Sequence, residues 1–312
     1  MLAYYLHDIS PWALRLTDTV GVRWYGLAYV LGFLAGFLLL KRLAERGIGQ
    51  LKAAEIGDFI TYAAIFGVML GGRLGFMLLY DFNHFIREPW SFFLVWEGGM
   101  ASHGGIVGLT VFTYFYARRK GYDWAGIGDN LVAVAPLGVC FGRLANFING
   151  ELYGKPWPGG WIAVQFPSEM ERPRIWADVA RRLPNYSNPQ EVSEALRKPE
   201  VATVLRQVLT PRYPSQLFQA AMEGLALFAI LYFIRVRFPR LGYGILTGLF
   251  FAGYATFRIL GEVFREPDFG SGLILGLQKG QFFSVFLYAL AGAFLWYGFT
   301  KGREAVLKKA KP

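Results

Sequence analysis

Long apolar runs alternate along the chain with short segments rich in basic and turn-forming residues. Each run is close to the ~20 residues that a helix needs to cross the hydrocarbon core of a bilayer. The runs cover about residues 24–40, 59–79, 100–117, 130–148, 217–234, 243–260 and 282–299. The pattern therefore predicts an all-α polytopic membrane protein with seven transmembrane helices.

The polar segments between the runs divide the chain into five parts. Residues 1–23 lack the basic start and long apolar stretch of a signal peptide, so we expect them to be retained as an interfacial arm. Residues 24–150 would hold spans one to four, 217–300 spans five to seven, and 301–312 a basic cytoplasmic tail. Residues 151–216 open with the turn-forming string KPWPGGW and continue with short strand and helix patterns. They predict a small mixed head inserted between spans four and five.

Lysine and arginine are distributed unevenly between the two sides that these spans define. Fifteen of them follow spans one, three, five and seven, namely Lys41, Arg42, Arg46, Lys52, Arg118, Arg119, Lys120, Arg235, Arg237, Arg240, Lys301, Arg303, Lys308, Lys309 and Lys311. Five lie in the arm and after spans two and six, namely Arg15, Arg23, Arg87, Arg265 and Lys279. Because basic residues favour the cytoplasmic side, the sequence predicts an outside N-terminus, a cytoplasmic C-terminus and an extracytoplasmic head.

Composition agrees with lipid as the main solvent of this chain. Hydrophobic residues make up 54% of it, aromatic residues 17%, and the mean hydropathy is +0.33. The net charge is +10, and the basic tail is more typical of a membrane-surface anchor than of a nucleic-acid site. The single cysteine, Cys140, excludes an internal disulfide framework, and His7, His84 and His103 are too scattered to indicate a metal site. We therefore expect membrane lipid as a partner and no nucleic acid, metal or cofactor.

Polar side chains of five spans converge on one depth, the outer half of the predicted membrane. Charged groups within a bilayer are costly and usually mark a functional site. The converging residues are Tyr25 on span one, Arg73 on span two, His103, Gly104 and Gly105 on span three, Arg143 and Asn146 on span four, and Arg258 and Glu262 on span six. Their common depth predicts a single site.

Each of these residues also has a purely structural interpretation. Arg73 could bind a backbone carbonyl or extend to the membrane surface, and His103 could be an interfacial histidine. Tyr25 suits the aromatic belt of a membrane surface. Arg258 and Glu262 have the i,i+4 spacing of a stabilising ion pair. It is the convergence of all of them that favours a site.

Arginine outnumbers acidic residues in this set, which favours an anionic ligand. The planar donors of a guanidinium group fit phosphate oxygens. Arg143, Asn146 and Gly150 fall on one face of span four, and Gly150 permits close approach. At this depth the phosphate-bearing molecule is a phospholipid headgroup. The alternative is a membrane transporter for an anionic substrate, which would place polar groups near the midplane and show inverted repeats or broken helices.

Five strings match a known family in order along nearly the whole chain. They are WYGLAY (24–29), SHGG (102–105), GRLANFINGELYG (142–154), YPSQLFQ (213–219) and FRILGEVFREPD (257–268). With these strings the sequence resembles the prolipoprotein diacylglyceryl transferases, and the 142–154 string is the most specific of them. Residues 187–211 of the head match no motif of that family.

The resemblance implies transfer of the sn-1,2-diacylglyceryl group from phosphatidylglycerol to the lipobox cysteine thiol of a prolipoprotein signal peptide, with release of glycerol 1-phosphate. It implies the first step of bacterial lipoprotein maturation, in the cytoplasmic (inner) membrane, with the active site towards the outer leaflet. The catalytic residues would be His103, Arg143, Arg258 and Glu262. With Arg73 and Gly150 added from the depth and spacing arguments, the phospholipid-binding residues would be Tyr25, Arg73, Gly104, Gly105, Arg143, Asn146, Asn149, Gly150 and Gly154, with Glu151 in a supporting role.

The chemistry of this transfer gives each catalytic residue an expected role. The nucleophile is a thiolate, and a free cysteine has a pKa of ~8.5, so a base or a cationic environment must assist it. His103 is the hypothetical base. Arg143 and Arg258 would stabilise the charge that develops on the leaving phosphate, and Glu262 would orient Arg258.

Overall fold

The computed structural model describes residues 4–17, 20–94, 98–267, 276 and 279–309, which are mostly helical. The α-helices are α1 (Trp24–Glu45), α2 (Ile56–Tyr62), α3 (Leu70–Leu79), α4 (Phe82–Arg87), α5 (Ser102–Lys120), α6 (Trp124–Val132), α7 (Ala135–Ile148), α8 (Pro173–Arg182), α9 (Pro189–Glu194), α10 (Pro199–Val208), α11 (Ser215–Gln219), α12 (Leu227–Arg237), α13 (Ile245–Phe264), α14 (Lys279–Tyr297) and α15 (Arg303–Lys309). The strands are β1 (Tyr5–Leu6), β2 (Trp12–Arg15), β3 (Gly21–Arg23) and β4 (Val164–Gln165).

Several helices continue into one another through turns of a different pitch. π-helical turns at Ala63–Met69, Ala220–Ala226 and Gly298–Gly302 join α2 to α3, α11 to α12 and α14 to α15. Short 3₁₀ turns cover Ala53–Glu55, Pro89–Phe93 and Pro167–Glu171. A π turn adds a residue to the helical repeat without ending the helix, so the joined segments act as single rods.

Helices long and apolar enough to cross a membrane occur in the described residues. Four stretches qualify by length and composition: Trp24–Glu45, Ala53–Leu79, Ser215–Arg237 and Gly280–Leu307. A fifth is formed if α6 and α7 are taken together, although this pair is bent by 43°. The prediction of a helical polytopic membrane protein is therefore confirmed at the level of four or five candidate spans.

The chain divides into two compact units, each assembled from separate stretches. The first, which we call the signature unit because it contains the 142–154 string, comprises Met1–Gly32, Pro136–Ala229 and Phe251–Ala289. The other, called the second unit, comprises Phe33–Ala135, Ile230–Phe250 and Leu290–Pro312. Helices α1, α7, α12, α13 and α14 contribute residues to both units.

A small head within the signature unit has its own apolar core. The buried side chains of this core are Leu6, Met170, Val179, Leu183, Val192, Val201, Leu205 and Leu209. Strand β1 pairs in parallel with β4, so that Tyr5 lies opposite Val164 and Leu6 opposite Gln165. Strands β2 and β3 form a separate antiparallel pair. The head is thus mainly helical, and the N-terminal residues of β1 are part of it.

Glycine allows α3 and α5 of the second unit to approach very closely. A Cβ atom at Gly71 would lie 2.6 Å from the carbonyl oxygen of Gly104 and 2.7 Å from Cα of Gly108. A Cβ atom at Gly75 would lie 2.5 Å from Cα of Gly104. Backbone therefore packs directly on backbone, as in small-residue motifs of other membrane helices. The contact fixes the beginning of α5 against α3.

Arg235, counted above among the loop charges, is instead part of helix α12 and only 1% exposed. Its Nη2 donates to Oδ1 of Asn130 at 3.2 Å. The neighbouring Asp129 accepts bonds from the backbone amides of Gly244 and Thr247 at 2.8 Å each. Burial beside these polar groups explains why an arginine is tolerated inside the unit. The predicted tail is also helical as far as Lys309, and residues 310–312 lie outside the described residues.

Candidate active site

Helix α7 ends at Ile148, and the turn that follows it through Gly150 positions the polar residues of the 142–154 string. Gly150 has a φ of +69°, the left-handed conformation that commonly terminates helices. The amide of Glu151 donates to the carbonyl of Asn146 at 3.1 Å. Asn149 has a buried side-chain oxygen with no hydrogen-bond partner in the described part of the chain. Arg143 and Asn146 lie one turn apart on one face of α7.

Asn146 connects three elements through its side-chain amide. Its Nδ2 donates to the hydroxyl of Tyr25 at 3.2 Å and to Oε1 of Glu151 at 2.7 Å. The residue is only 5% exposed, so both bonds lie in a low-dielectric environment. The structure thus brings together three residues that the sequence had grouped by depth and motif.

Arg143 and Arg258 meet on one carboxylate, that of Glu223. Nε and Nη2 of Arg143 donate to Oε2 of Glu223 at 3.3 and 3.0 Å. Nη1 of Arg258 donates to Oε1 of the same side chain at 3.4 Å. The Glu223 side chain is fully buried. Because each arginine uses a different oxygen, Glu223 sets the spacing between the two guanidinium groups.

The π-helical turn Ala220–Ala226 explains how Glu223 reaches Arg143. The next residue, Gly224, packs on Cys140 of α7: a Cβ atom there would lie 2.5 Å from Cβ and 2.7 Å from Cα of Cys140. Such an approach requires glycine. It brings the neighbouring Glu223 beside Arg143, which lies one turn along α7 from Cys140. π turns within helices are frequent at functional sites.

Glu262 extends the network to a third arginine. Its Oε1 accepts from Nη2 of Arg258 at 2.6 Å and from Nη1 of Arg265 at 3.1 Å. Among the residues that the structure describes, the ion-paired group contains three arginines and two glutamates, with a formal charge of +1. A buried cationic excess with planar donors suits a singly charged phosphodiester.

Gly154, at the end of the string, is enclosed by backbone. A Cβ atom at this position would lie 2.5 Å from Cβ of Tyr213 and 2.7 Å from the carbonyl oxygen of Phe264. Its amide donates to the carbonyl of Tyr213 at 2.9 Å, and its own carbonyl accepts from Nη1 of Arg212 at 3.1 Å. Packing alone is therefore sufficient to require glycine here.

Arg212 ties this end of the string to the head. Its Nη2 forms a buried ion pair with Oε1 of Glu169 at 2.6 Å. Its guanidinium carbon also lies 4.9 Å from the ring centroid of Tyr153. Burial raises the pKa of the Tyr153 hydroxyl, so the phenol is neutral at physiological pH. The position of the string thus depends on the folding of the head.

Arg73 belongs to the second unit, and all three of its guanidinium nitrogens donate to backbone carbonyls. The residue is 4% exposed. The acceptors are the carbonyl oxygens of Phe92 at 3.1 Å, Leu94 at 3.2 Å and Gly99 at 3.2 Å, together with those of Ser91 and Gly98. These contacts agree with the structural interpretation of Arg73, in which it holds the segment that precedes α5.

His103, Gly104 and Gly105 begin helix α5 in the same unit. His103 is exposed. Gly104 makes the close backbone contact with α3, and the amide of Gly105 donates to the carbonyl of Ala101 at 3.0 Å. The site residues predicted from the sequence therefore fall into two groups. Arg73, His103, Gly104 and Gly105 belong to the second unit, and the other predicted site residues belong to the signature unit.

Comparison with known proteins identifies the family. A family model described as prolipoprotein diacylglyceryl transferase matches residues 11–297. The chain belongs to this family. The match includes the 142–154 string, the head and the helices that hold the arginine network, so the resemblance seen in the five strings is confirmed.

Individual relatives of the prolipoprotein diacylglyceryl transferase family are similar along almost the whole chain. Three of them are named phosphatidylglycerol-prolipoprotein diacylglyceryl transferase. The protein of Bdellovibrio bacteriovorus is 38% identical over 91% of this chain and 91% of its own. The protein of Rhodospirillum centenum is 39% identical over 89% of this chain and 87% of its own. The protein of Neisseria gonorrhoeae is 36% identical over 95% of this chain and 98% of its own. These relatives give no support to the transporter alternative.

Glu223 is the member of the arginine network that sequence reasoning missed. It lies in the middle of predicted span five, where a carboxylate is as unusual as the arginines that were selected. A carboxylate inside this apolar run is the sequence signal that identifies it. Arg265 was counted only as a loop charge, and its contact with Glu262 depends on a helix that continues to Phe264.

Proposed function

We propose that this protein transfers the sn-1,2-diacylglyceryl group of phosphatidylglycerol to the lipobox cysteine thiol of prolipoproteins and releases glycerol 1-phosphate. It acts in the bacterial cytoplasmic (inner) membrane, where prolipoprotein signal peptides and membrane lipid meet. The observation that carries the proposal is the pair Arg143 and Arg258 fixed on Glu223, in a member of this transferase family.

The reaction exchanges one bond at a glycerol carbon for another. The thiolate sulfur bonds to the carbon that carries the phosphate, and the bond from that carbon to the phosphate oxygen breaks with its electron pair going to oxygen. Arg143 and Arg258 stabilise this developing charge, and Glu262 orients Arg258. His103 takes the thiol proton as general base.

The membrane arrangement proposed with this function has seven spans, an outside N-terminus and a cytoplasmic C-terminus. Besides the four or five candidate spans, α5 and α13 have 19 and 20 residues, enough for a crossing. They contain His103 and the pair Arg258 and Glu262, which lower their apolar character. The head then lies outside the cytoplasm, and the arginine network faces the outer leaflet.

Purified protein with phosphatidylglycerol and a lipobox peptide tests the function. We expect a diacylglyceryl mass increase on the cysteine, which Arg143→Ala abolishes without preventing membrane insertion. In the same assay, the rate of His103→Asn relative to the wild type should be lowest near neutral pH. It should recover as the pH approaches the thiol pKa of ~8.5, where the thiol ionises without a base. An Arg143→Ala protein with normal transfer contradicts the lipid-binding role, and full His103→Asn activity at every pH removes the base. No transfer by the wild type overturns the function itself.

A further inference from the structure

Gln219 is a buried amide at the end of α11, next to the π turn that carries Glu223. The residue has no exposed surface. Neither its Nε2 nor its Oε1 has a hydrogen-bond partner among the residues that the structure describes. Buried polar groups are nearly always hydrogen-bonded, and an unpaired donor and acceptor on one side chain is unusual. Such a side chain is suited to a ligand that pairs with both atoms.

The unpaired amide borders the arginine network. A Cβ atom at Gly261 would lie 3.4 Å from Nε2 of Gln219 and 3.2 Å from Oε1 of Glu223. Gly261 lies between Arg258 and Glu262 on α13, so the amide and the carboxylate share one glycine backbone as neighbour. Gln219 is therefore adjacent to the groups that bind phosphate in the proposed function.

Two further amide oxygens in the same unit are unpaired. Oε1 of Gln216 and Oδ1 of Asn149 are buried without a partner in the described part of the chain. Nε2 of Gln216 donates to the carbonyl of Glu151 at 2.6 Å, which ties Gln216 to the 142–154 string. Together with Gln219, these residues supply one donor group and three acceptor oxygens, on the α11 segment next to the arginine network and on the 142–154 string.

The chemistry of the unpaired atoms restricts the headgroup that they can bind. A hydroxyl both donates and accepts, so it can pair with an amide nitrogen and an amide oxygen. An ammonium group only donates, and it would add positive charge next to a network that is already cationic. A trimethylammonium group has no polar hydrogen. Glycerol bears two free hydroxyls next to the phosphate and fits best.

We propose that Gln219, with Gln216 and Asn149, forms a hydroxyl-recognition subsite that selects the glycerol headgroup of an anionic phospholipid. The inference rests on the proposed function and adds to it the residues that determine headgroup specificity. Arg143 and Arg258 bind any phosphodiester, whereas the amides distinguish a hydroxylated substituent from other substituents.

Transfer rates from two lipids test the subsite. Phosphatidylpropanol has the same phosphodiester as phosphatidylglycerol but no headgroup hydroxyl. We expect wild-type kcat/KM to be at least about tenfold lower with phosphatidylpropanol, since loss of such hydrogen bonds is worth about 1.4 kcal/mol or more. Gln219→Met keeps the length of the side chain and removes the amide. It should lower kcat/KM for phosphatidylglycerol about tenfold and leave that for phosphatidylpropanol within about twofold.

Thermal stability separates a ligand-binding amide from a structural one. Removing a buried amide without partners should leave Tm unchanged or raise it. The matched control is Gln165→Met in the head, where an equally buried amide donates to the carbonyls of Arg206 at 3.0 Å and Leu209 at 2.7 Å. Gln165→Met should lower Tm and leave the ratio of kcat/KM for phosphatidylglycerol to kcat/KM for phosphatidylpropanol unchanged.

The results that overturn the subsite are distinct from failure of the proposed function. Equal wild-type rates with the two lipids overturn it without reference to any variant. A Gln219→Met variant with the wild-type ratio of kcat/KM for the two lipids also overturns it. So does a fall in Tm as large as that of Gln165→Met, because such a fall would indicate that the amide has an internal partner such as a buried water. If the wild type transfers nothing from phosphatidylglycerol, the proposed function itself fails.

Discussion

The Glu223 carboxylate holds two arginines through separate oxygens, so its replacement should affect their geometry more than the affinity for an anion. In Glu223→Gln one oxygen becomes an NH₂ group that faces guanidinium donors, and one arginine loses its partner. Misplacement of catalytic groups by ~1 Å costs about 10²-fold in rate. We expect kcat to fall about 10²-fold while KM for phosphatidylglycerol changes little, because the variant keeps the arginines that attract the anion: the formal charge of the described network rises from +1 to +2.

Initial rates of peptide lipidation at varied phosphatidylglycerol concentration provide this measurement. Asp129→Asn is the matched control, since Asp129 is an equally buried carboxylate in the second unit. It should reduce Tm and leave kcat per folded molecule unchanged. Equal losses of kcat in the two variants would show that Glu223 acts only through stability.

Single residues show where reasoning from sequence succeeds and where it stops. Arg143, Asn146 and Arg258 were selected because polar groups in an apolar run are conspicuous, and the structure places them in buried polar contacts. Arg73 meets the same criterion, and it binds loop carbonyls, as its structural interpretation expects; its role in lipid binding stays a prediction, because depth in a membrane does not reveal which partner a guanidinium group finds. Gln219 is part of the YPSQLFQ string, but it carries no charge and its role is not evident from the sequence, whereas its unpaired amide is evident in three dimensions.

At the scale of helices, the contact between α3 and α5 depends on the absence of side chains. In Gly71→Ala the new methyl group would lie 2.6 Å from the carbonyl oxygen of Gly104 and 2.7 Å from Cα of Gly108, both of them backbone atoms that cannot rotate away. Separating the helices costs about 1–3 kcal/mol by analogy with overpacked cores. We expect a clear fall in Tm of the purified protein.

Gly138→Ala on α7 is the control for this substitution. A Cβ atom at Gly138 meets no described atom within 4 Å. Because alanine favours helix over glycine by about 0.8–1 kcal/mol, this variant should keep or raise Tm. If the two alanine variants melted alike, the close contact between α3 and α5 would not be limiting for stability.

Helices were easier to predict than their irregularities. Runs of apolar residues located the long helices of the described residues, because the length and composition of such runs can be read from the sequence. The π turn around Glu223 is accompanied by tertiary packing, namely the contact of Gly224 with Cys140 on α7. The hydropathy pattern does not indicate this contact, although the contact positions Glu223 in the site.

The orientation of the whole molecule can be tested by labelling single cysteines. In a Cys140→Ser background, Ser187→Cys places a thiol in the head and Arg240→Cys places one in the loop before α13, and both positions are exposed. A membrane-impermeant maleimide should label residue 187 in intact spheroplasts and residue 240 only after lysis. The reverse pattern would invert the proposed topology, and labelling of both in intact cells would reject seven spans.

The parallel pairing of β1 with β4 cannot form until the ribosome has synthesised the residues between them. Tyr5 and its partner Val164 are about 160 residues apart in sequence. At the usual 5–20 residues per second, translation takes about 8–30 s to supply the second strand after the first. During that interval Leu6 has no apolar core to join, because the other members of that core lie at 170–209, so Leu6 reaches its final place long after it has left the ribosome. A chaperone at the membrane surface would find its binding site there, for a period set by elongation.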